Sequence, residues 1–163
     1  MNKQTENLEG LPPENAGEIK IRVRFSETDK MGITWHGNYF SWFEMGRTEL
    51  LRNAGLSYRD LEESGTMFAV VSAECSYKHP AIYDDVLTLK TRIRRVTPIR
   101  IEHEYYLYRD SLLLAVGKTV LASVDTEGKI KPIPSSIITL FSEQNGKEDK
   151  KFKKGLSEIV PEP

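Results

Sequence analysis

The amino-acid sequence predicts an α+β domain in which an antiparallel sheet of about five strands wraps one long central helix. Three observations carry this reading. A period-two apolar run opens the ordered part of the chain, and a long helical segment with aromatic residues on much of its circumference follows. Four further period-two runs then come in succession, joined by short turns.

The first strand is read in IKIRVRF, where Ile19, Ile21, Val23 and Phe25 alternate with Lys20, Arg22 and Arg24. This is the spacing of a half-buried strand. The helix covers 38–54, with Tyr39, Phe43, Leu50, Leu51 and Ala54 on one face and Gly46 and Arg47 filling the missing turn. Asn38 reads as its N-cap, because an amide oxygen can accept from the free N–H groups of the first turn, and Gly55 stands where a left-handed residue ends a helix. Phe40 and Trp42 widen the apolar surface, so the helix is expected to be covered on more than one side. Ser57 to Asp60 reads as a capping box that opens a short helix to Ser64.

The four later strands are read at 67–78, 85–96, 99–109 and 112–125. The third alternates most regularly, with Ile99, Ile101, His103, Tyr105 and Leu107 on one face. Short joins at TP and RDS make neighbours antiparallel. PSSIITLF is a last short helix, begun by Ser135 or Ser136 after Pro132 and Pro134.

Composition narrows the function. The 163 residues carry 23 Lys and Arg against 24 Asp and Glu, a net charge of -1, which argues against nucleic acid as a partner and against a polybasic membrane anchor. One domain is expected at 18–141, between a disordered tail at 1–17 and a charged tail at 142–163. No stretch approaches the roughly 20 apolar residues of a spanning helix, and the first residues lack a signal-peptide core, so no membrane insertion and a cytoplasmic setting are expected. A single cysteine, Cys75, and three scattered histidines, His36, His79 and His103, offer neither a disulfide framework nor metal-ligand spacing. No glycine-rich nucleotide loop is present, and no cofactor is expected.

The segment RFSETDKMGITWHGNYFSWFEMGRTELLR resembles the signature of the 4-hydroxybenzoyl-CoA thioesterase-like family of hot-dog fold acyl-CoA thioesterases. It carries T-D-x-x-G after a strand, then H-x-N-Y, then an aromatic-rich helix with E-x-x-R. A second block, YKHPAIYDDVLTLKTRI, is similar to the family's later Y-x-x-P-A-x-Y-x-D segment, and the resemblance extends over 19–140. It implies a hot-dog fold, a homodimer or homotetramer, an acyl-CoA substrate lying across a subunit interface, and an acidic residue of the first loop that assists hydrolysis. By resemblance that acid is Asp29.

A thioester needs a nucleophile at its carbonyl carbon and a donor for the oxygen that becomes negative. Asp29, in the loop that turns at Gly32, is the candidate general base or covalent nucleophile; the other reading is a turn residue that caps its own backbone. His36 is the candidate assistant, beside backbone N–H donors at the helix start, or else a loop-packing histidine. Gly32, Thr34 and Trp35 from the same loop, with Tyr39, are assigned to substrate binding; a core aromatic is the alternative for Tyr39. Arg92, Arg94, Arg95 and Arg100 cluster about the V-T-P turn, and Arg94 and Arg95 are assigned to the CoA phosphates, against the reading of solvated strand faces. Glu44 and Arg47 are expected to pair with each other, His103 to be a satisfied core or interface histidine, and Cys75 to be inert packing. Two rival functions are a non-catalytic acyl-CoA-binding protein and a hot-dog hydratase or dehydratase. The histidine motifs of the latter, H-F-P and D-x-N-P-x-H, do not occur.

Overall fold

The computed structural model describes residues 16–144. Strand β1 (Gly17–Arg22) leads through a loop into helix α1 (Asn38–Asn53) and the short helix α2 (Tyr58–Glu63). Strands β2 (Met67–Tyr77), β3 (Val86–Val96), β4 (Arg100–Arg109) and β5 (Leu112–Val124) follow, and helix α3 (Ser135–Gln144) comes last. The five strands form one antiparallel sheet in the order β1-β3-β4-β5-β2, so β1 and β2 are its edges. The strand limits depart from those read in the sequence by no more than one residue at each end of β2 to β5. The expected tails lie outside the described residues, apart from Ala16, Gly17, which opens β1, and the last turn of α3.

Helix α1 lies on the inner face of the sheet, against β1, β3 and β4. Tyr39, Trp42 and Phe43 join Ile21, Val23, Leu87, Leu89, Tyr105, Leu107, Leu114 and Ala115 in one core. The Phe43 ring stacks on Tyr105 with centroids 4.4 Å apart. Gly46 allows the close approach, because a Cβ there would collide with Thr91 Oγ1 and Leu89. A second core gathers Leu51, Leu61, Ile93, Val96, Ile101, Ile133, Ile137 and Phe141, and so seats α2 and α3 at the other end of the sheet. The capping box of α2 is present, Ser57 Oγ accepting from the Asp60 N–H and Asp60 Oδ2 accepting from the Ser57 N–H. Gly55 ends α1 with φ +85, as read.

Three expectations are corrected and one is narrowed. Asn38 is not the N-cap: Gly37 takes that position without a side-chain cap, and the Asn38 amide reaches back instead, Nδ2 donating to the Glu27 carbonyl at 2.8 Å. The helix is covered by the sheet, by the Glu27 turn over Trp42 and by α2 beside Leu51, but not all round, since Ser41, Glu44 and Met45 are exposed. Glu44 and Arg47 form no ion pair, because Glu44 stays on the exposed side while the half-buried Arg47 turns toward Tyr58 and Tyr105, where its Nε is buried without a partner. His103 is buried but not satisfied, since its Nδ1 also lacks a partner. The two groups line a cavity of about 10 Å³ between α1, α2 and the sheet.

Candidate active site

The loop from β1 to α1 is built around a buried carboxylate. Its first turn, Phe25–Glu27, points Glu27 inward, where Oε2 accepts from the Arg24 N–H at 2.8 Å and Oε1 from the Arg24 guanidinium at 2.9 Å and the Trp42 indole at 3.2 Å. Burial by itself raises the Glu27 carboxyl pKa, but these hydrogen bonds outweigh it and hold the group below the usual carboxylate range. The Glu27 carbonyl accepts from the Trp35 N–H and the Asn38 amide, both at 2.8 Å. One residue thus ties the loop's start to the start of α1.

Between these anchors the chain makes a tight excursion. Thr28 bridges Thr34, the Asp29 N–H donates to the Ile33 carbonyl, and Gly32 takes φ +76 to complete the turn. Asp29 Oδ1 accepts from the Met31 N–H at 2.8 Å, so the residue does cap its own turn. Asp29 also lines a groove of about 340 Å³, within the size range of ligand pockets. Thr34, His36 and Tyr39 line the same groove, so four of the candidates meet there. Thr34 Oγ1 is buried without a hydrogen-bond partner. The other wall comes from a distant segment, Tyr77 to Pro80.

Gly32 and Trp35 are not part of the lining. Gly32 serves the turn, and the half-exposed Trp35 ring packs against Gly37 and the His36 ring. Arg94 and Arg95 lie elsewhere. Tyr77, Ala115, Leu107 and Leu89 stand abreast in register across the sheet, whereas Arg94 is five residues farther along β3, roughly 17 Å at the strand rise. There Arg94 and Arg95 make long ion pairs with Glu104 at 3.6 Å and Glu102 at 3.9 Å, while Arg92 holds Glu104 closely at 2.6 Å.

Sequence reasoning missed Glu27, Tyr77, Lys78 and His79 as site residues. The block YKHP carried a resemblance without a role, and its place opposite His36 depends on the pairing of β2 with β5. Cys75, half-buried in β2, has its thiol pKa raised by burial, which leaves it a poor nucleophile. No helix among the described residues is long and apolar enough to cross a membrane.

Comparison with known proteins agrees with this geometry. Over residues 23–141 the chain matches the model of the thioesterase-like superfamily. It is 33% identical over 121 residues to the acyl-CoA thioesterase YbgC of Haemophilus influenzae, covering 74% of this chain and 88% of that one. The structure of a DHNA-CoA thioesterase from Staphylococcus aureus superposes with a TM-score of 0.74 at 29% identity, covering 80% of this chain and 91% of that one. A 4-hydroxybenzoyl CoA thioesterase variant bound to 4-hydroxybenzoyl CoA shares the fold, with a TM-score of 0.72 at 22% identity over 78% of this chain and 99% of that one. The hot-dog arrangement expected from the sequence is therefore the one observed, and the chain belongs to the thioesterase-like superfamily.

Proposed function

We propose that this chain hydrolyses an acyl-CoA thioester to the free acid and CoA, with Asp29 as general base or nucleophile and His36 as its assistant. The observation that carries this reading is that Asp29 and His36 line one groove at the start of α1. The first-turn N–H groups of a helix are unpaired donors at the positive end of its dipole, which suits an oxygen that becomes negative. In the general-base form, Asp29 takes a proton from water as the water oxygen bonds to the thioester carbon. The carbonyl oxygen becomes an oxyanion held by backbone N–H groups. Its collapse breaks the C–S bond and releases CoA as a thiolate, which takes up a proton. A thiol pKa of about 8.5 makes sulfur a good leaving group, so no strong acid is required.

Two finer assignments belong to this reading. The first is a homodimer or homotetramer built on β2, an edge strand whose backbone is unpaired on one side and which leaves Val70 and Val71 more than half exposed. The second gives the CoA phosphates to Arg94 and Arg95. Their ion pairs are long, their side chains are half exposed, and the pantetheine arm of CoA separates its phosphates from the thioester, so cations apart from the groove suit the ligand. A single free cysteine agrees with a cytoplasmic setting.

The test is hydrolysis of a panel of acyl-CoA substrates followed with a thiol reagent. Turnover of at least one member is expected. Binding of acyl-CoA with no turnover of any would favour a non-catalytic carrier and overturn the proposal.

A further inference from the structure

The sequence assigns no function to Tyr77, yet its side chain makes the contact that joins the two walls of the groove. Its hydroxyl donates to the main-chain carbonyl of His36 at 2.8 Å, across 41 residues. The ring is fixed edge-on against Tyr39, with centroids 4.8 Å apart and planes at 90°, and it meets the His36 ring at 6.5 Å and 87°. Its backbone is held in β2 opposite Ala115 of β5. The sheet therefore grips the backbone of His36 through one hydroxyl.

That carbonyl matters because of what surrounds it. It belongs to the peptide that ends in the Gly37 N–H, and the peptide before it ends in the His36 N–H. Among the described residues, neither N–H has a backbone acceptor, whereas the Asn38 N–H is spent on Trp35 and the Phe40 N–H on Gly37. The peptide that ends in the His36 N–H is held locally, because its Trp35 carbonyl accepts from the Asn38 N–H, whereas the carbonyl of the peptide that ends in the Gly37 N–H is held by Tyr77, and Gly37 brings no side chain of its own. A hydrogen bond accepted at a peptide carbonyl fixes the plane of that peptide and strengthens its N–H as a donor.

We infer that Tyr77 is a positioning residue for thioester hydrolysis: by holding the His36 carbonyl it keeps the Gly37 N–H of the same peptide, and the His36 ring, turned to the substrate oxygen. This rests on the proposed hydrolysis in the groove. Tyr77 is nearly half exposed, and a phenol of ordinary pKa about 10 is a protonated donor throughout the neutral range.

The test is Tyr77→Phe, which keeps the ring and its edge contact with Tyr39 and removes only the donor. On the best substrate of the acyl-CoA panel, kcat should fall about tenfold, less than the loss of about 10²–10³ seen when a direct oxyanion donor is removed. KM should stay within about twofold and the melting temperature within about 2 °C. A kcat within about twofold of the parent, or a loss carried by KM alone, overturns the assignment. A kcat loss accompanied by a fall of more than about 5 °C in melting temperature also overturns it, since Tyr77 would then be only a tether of the loop. Asp29→Asn, measured in parallel, separates the two levels. If that variant loses activity while Tyr77→Phe does not, only the role of Tyr77 fails; if Asp29→Asn stays active, the catalytic reading itself fails.

Discussion

The Trp42 indole N–H donates to the Glu27 carboxylate at 3.2 Å, joining the middle of α1 to the turn that opens the loop of Asp29 and His36. Both groups are buried, so the bond cannot be exchanged for water without opening the core. Glu27→Ala should lower stability by about 1–3 kcal/mol, the usual cost of leaving a buried donor unmatched. Glu27→Gln should cost less, because it keeps an acceptor. The folded Glu27 carboxyl lies below its ordinary range, so its contribution is present above the unfolded pKa of about 4.3 and is lost as pH falls through the folded value. Denaturant midpoints measured from pH 7 to 3 should therefore decline less steeply below pH 4.3 in Glu27→Gln. An unchanged acid limb would remove Glu27 from the loop's support.

His103 predicts a pH dependence in a different window. Burial, reinforced by the Arg47 charge, pushes its pKa down to about 3. Between about pH 6.5 and 3 the unfolded chain binds a proton that the folded chain refuses, so stability falls as pH falls, by about 1.4 kcal/mol per pH unit for this one group. His103→Asn should flatten that slope between pH 6.5 and 4.5, whatever its effect at pH 8. Equal slopes for parent and variant would mean that His103 gains a partner in solution.

The legible part of this molecule was its local periodicity. Alternation in β4 placed Ile101, His103, Tyr105 and Leu107 on the inner face, and all four are buried. The start of α1 was misread because Asn38 spends its amide on Glu27, eleven residues back, a contact that no capping pattern records. Glu44 and Arg47 have the spacing of a helical pair, but burial draws Arg47 toward Tyr58 and Tyr105 and leaves Glu44 in water. The site was half legible. Asp29 and His36 are seven residues apart on one loop, whereas Tyr77, Lys78 and His79 reach the groove only through the pairing of β2 with β5.

Strand β2 yields the prediction on assembly. If its outer edge and its exposed Val70 and Val71 meet a second copy, as proposed, light scattering at micromolar concentration should give at least a dimer. Val70→Lys places a charge on that edge and should shift the mass toward the monomer and lower activity with it. A monomeric parent with full activity would sink the shared-site reading.

For Arg94 and Arg95 the readout is ionic strength. If they hold CoA phosphates, added salt should raise KM for acyl-CoA more than for a short thioester without the nucleotide. Replacing both by alanine should raise KM for acyl-CoA and remove that difference. The same salt dependence for the two substrates would leave the arginines as partners of Glu102 and Glu104 only.

Asp29 carries the proposed mechanism, and the structure sharpens its test. Because Oδ1 accepts from the Met31 N–H, Asp29→Asn can keep the turn through its amide oxygen while losing the charge. A residue that only caps the turn would tolerate this change, and only Asp29→Ala would then cost about 1 kcal/mol of stability. A general base would not tolerate it: kcat should fall about 10²–10⁴-fold with KM nearly unchanged. Retention of more than about a tenth of the parent kcat would falsify the assignment. Base and nucleophile are separated by a single turnover in oxygen-18 water. Direct attack places the label in the released acid alone. An anhydride at Asp29, opened by water at the aspartyl carbon, leaves the label in the protein, where mass spectrometry of the loop peptide detects it.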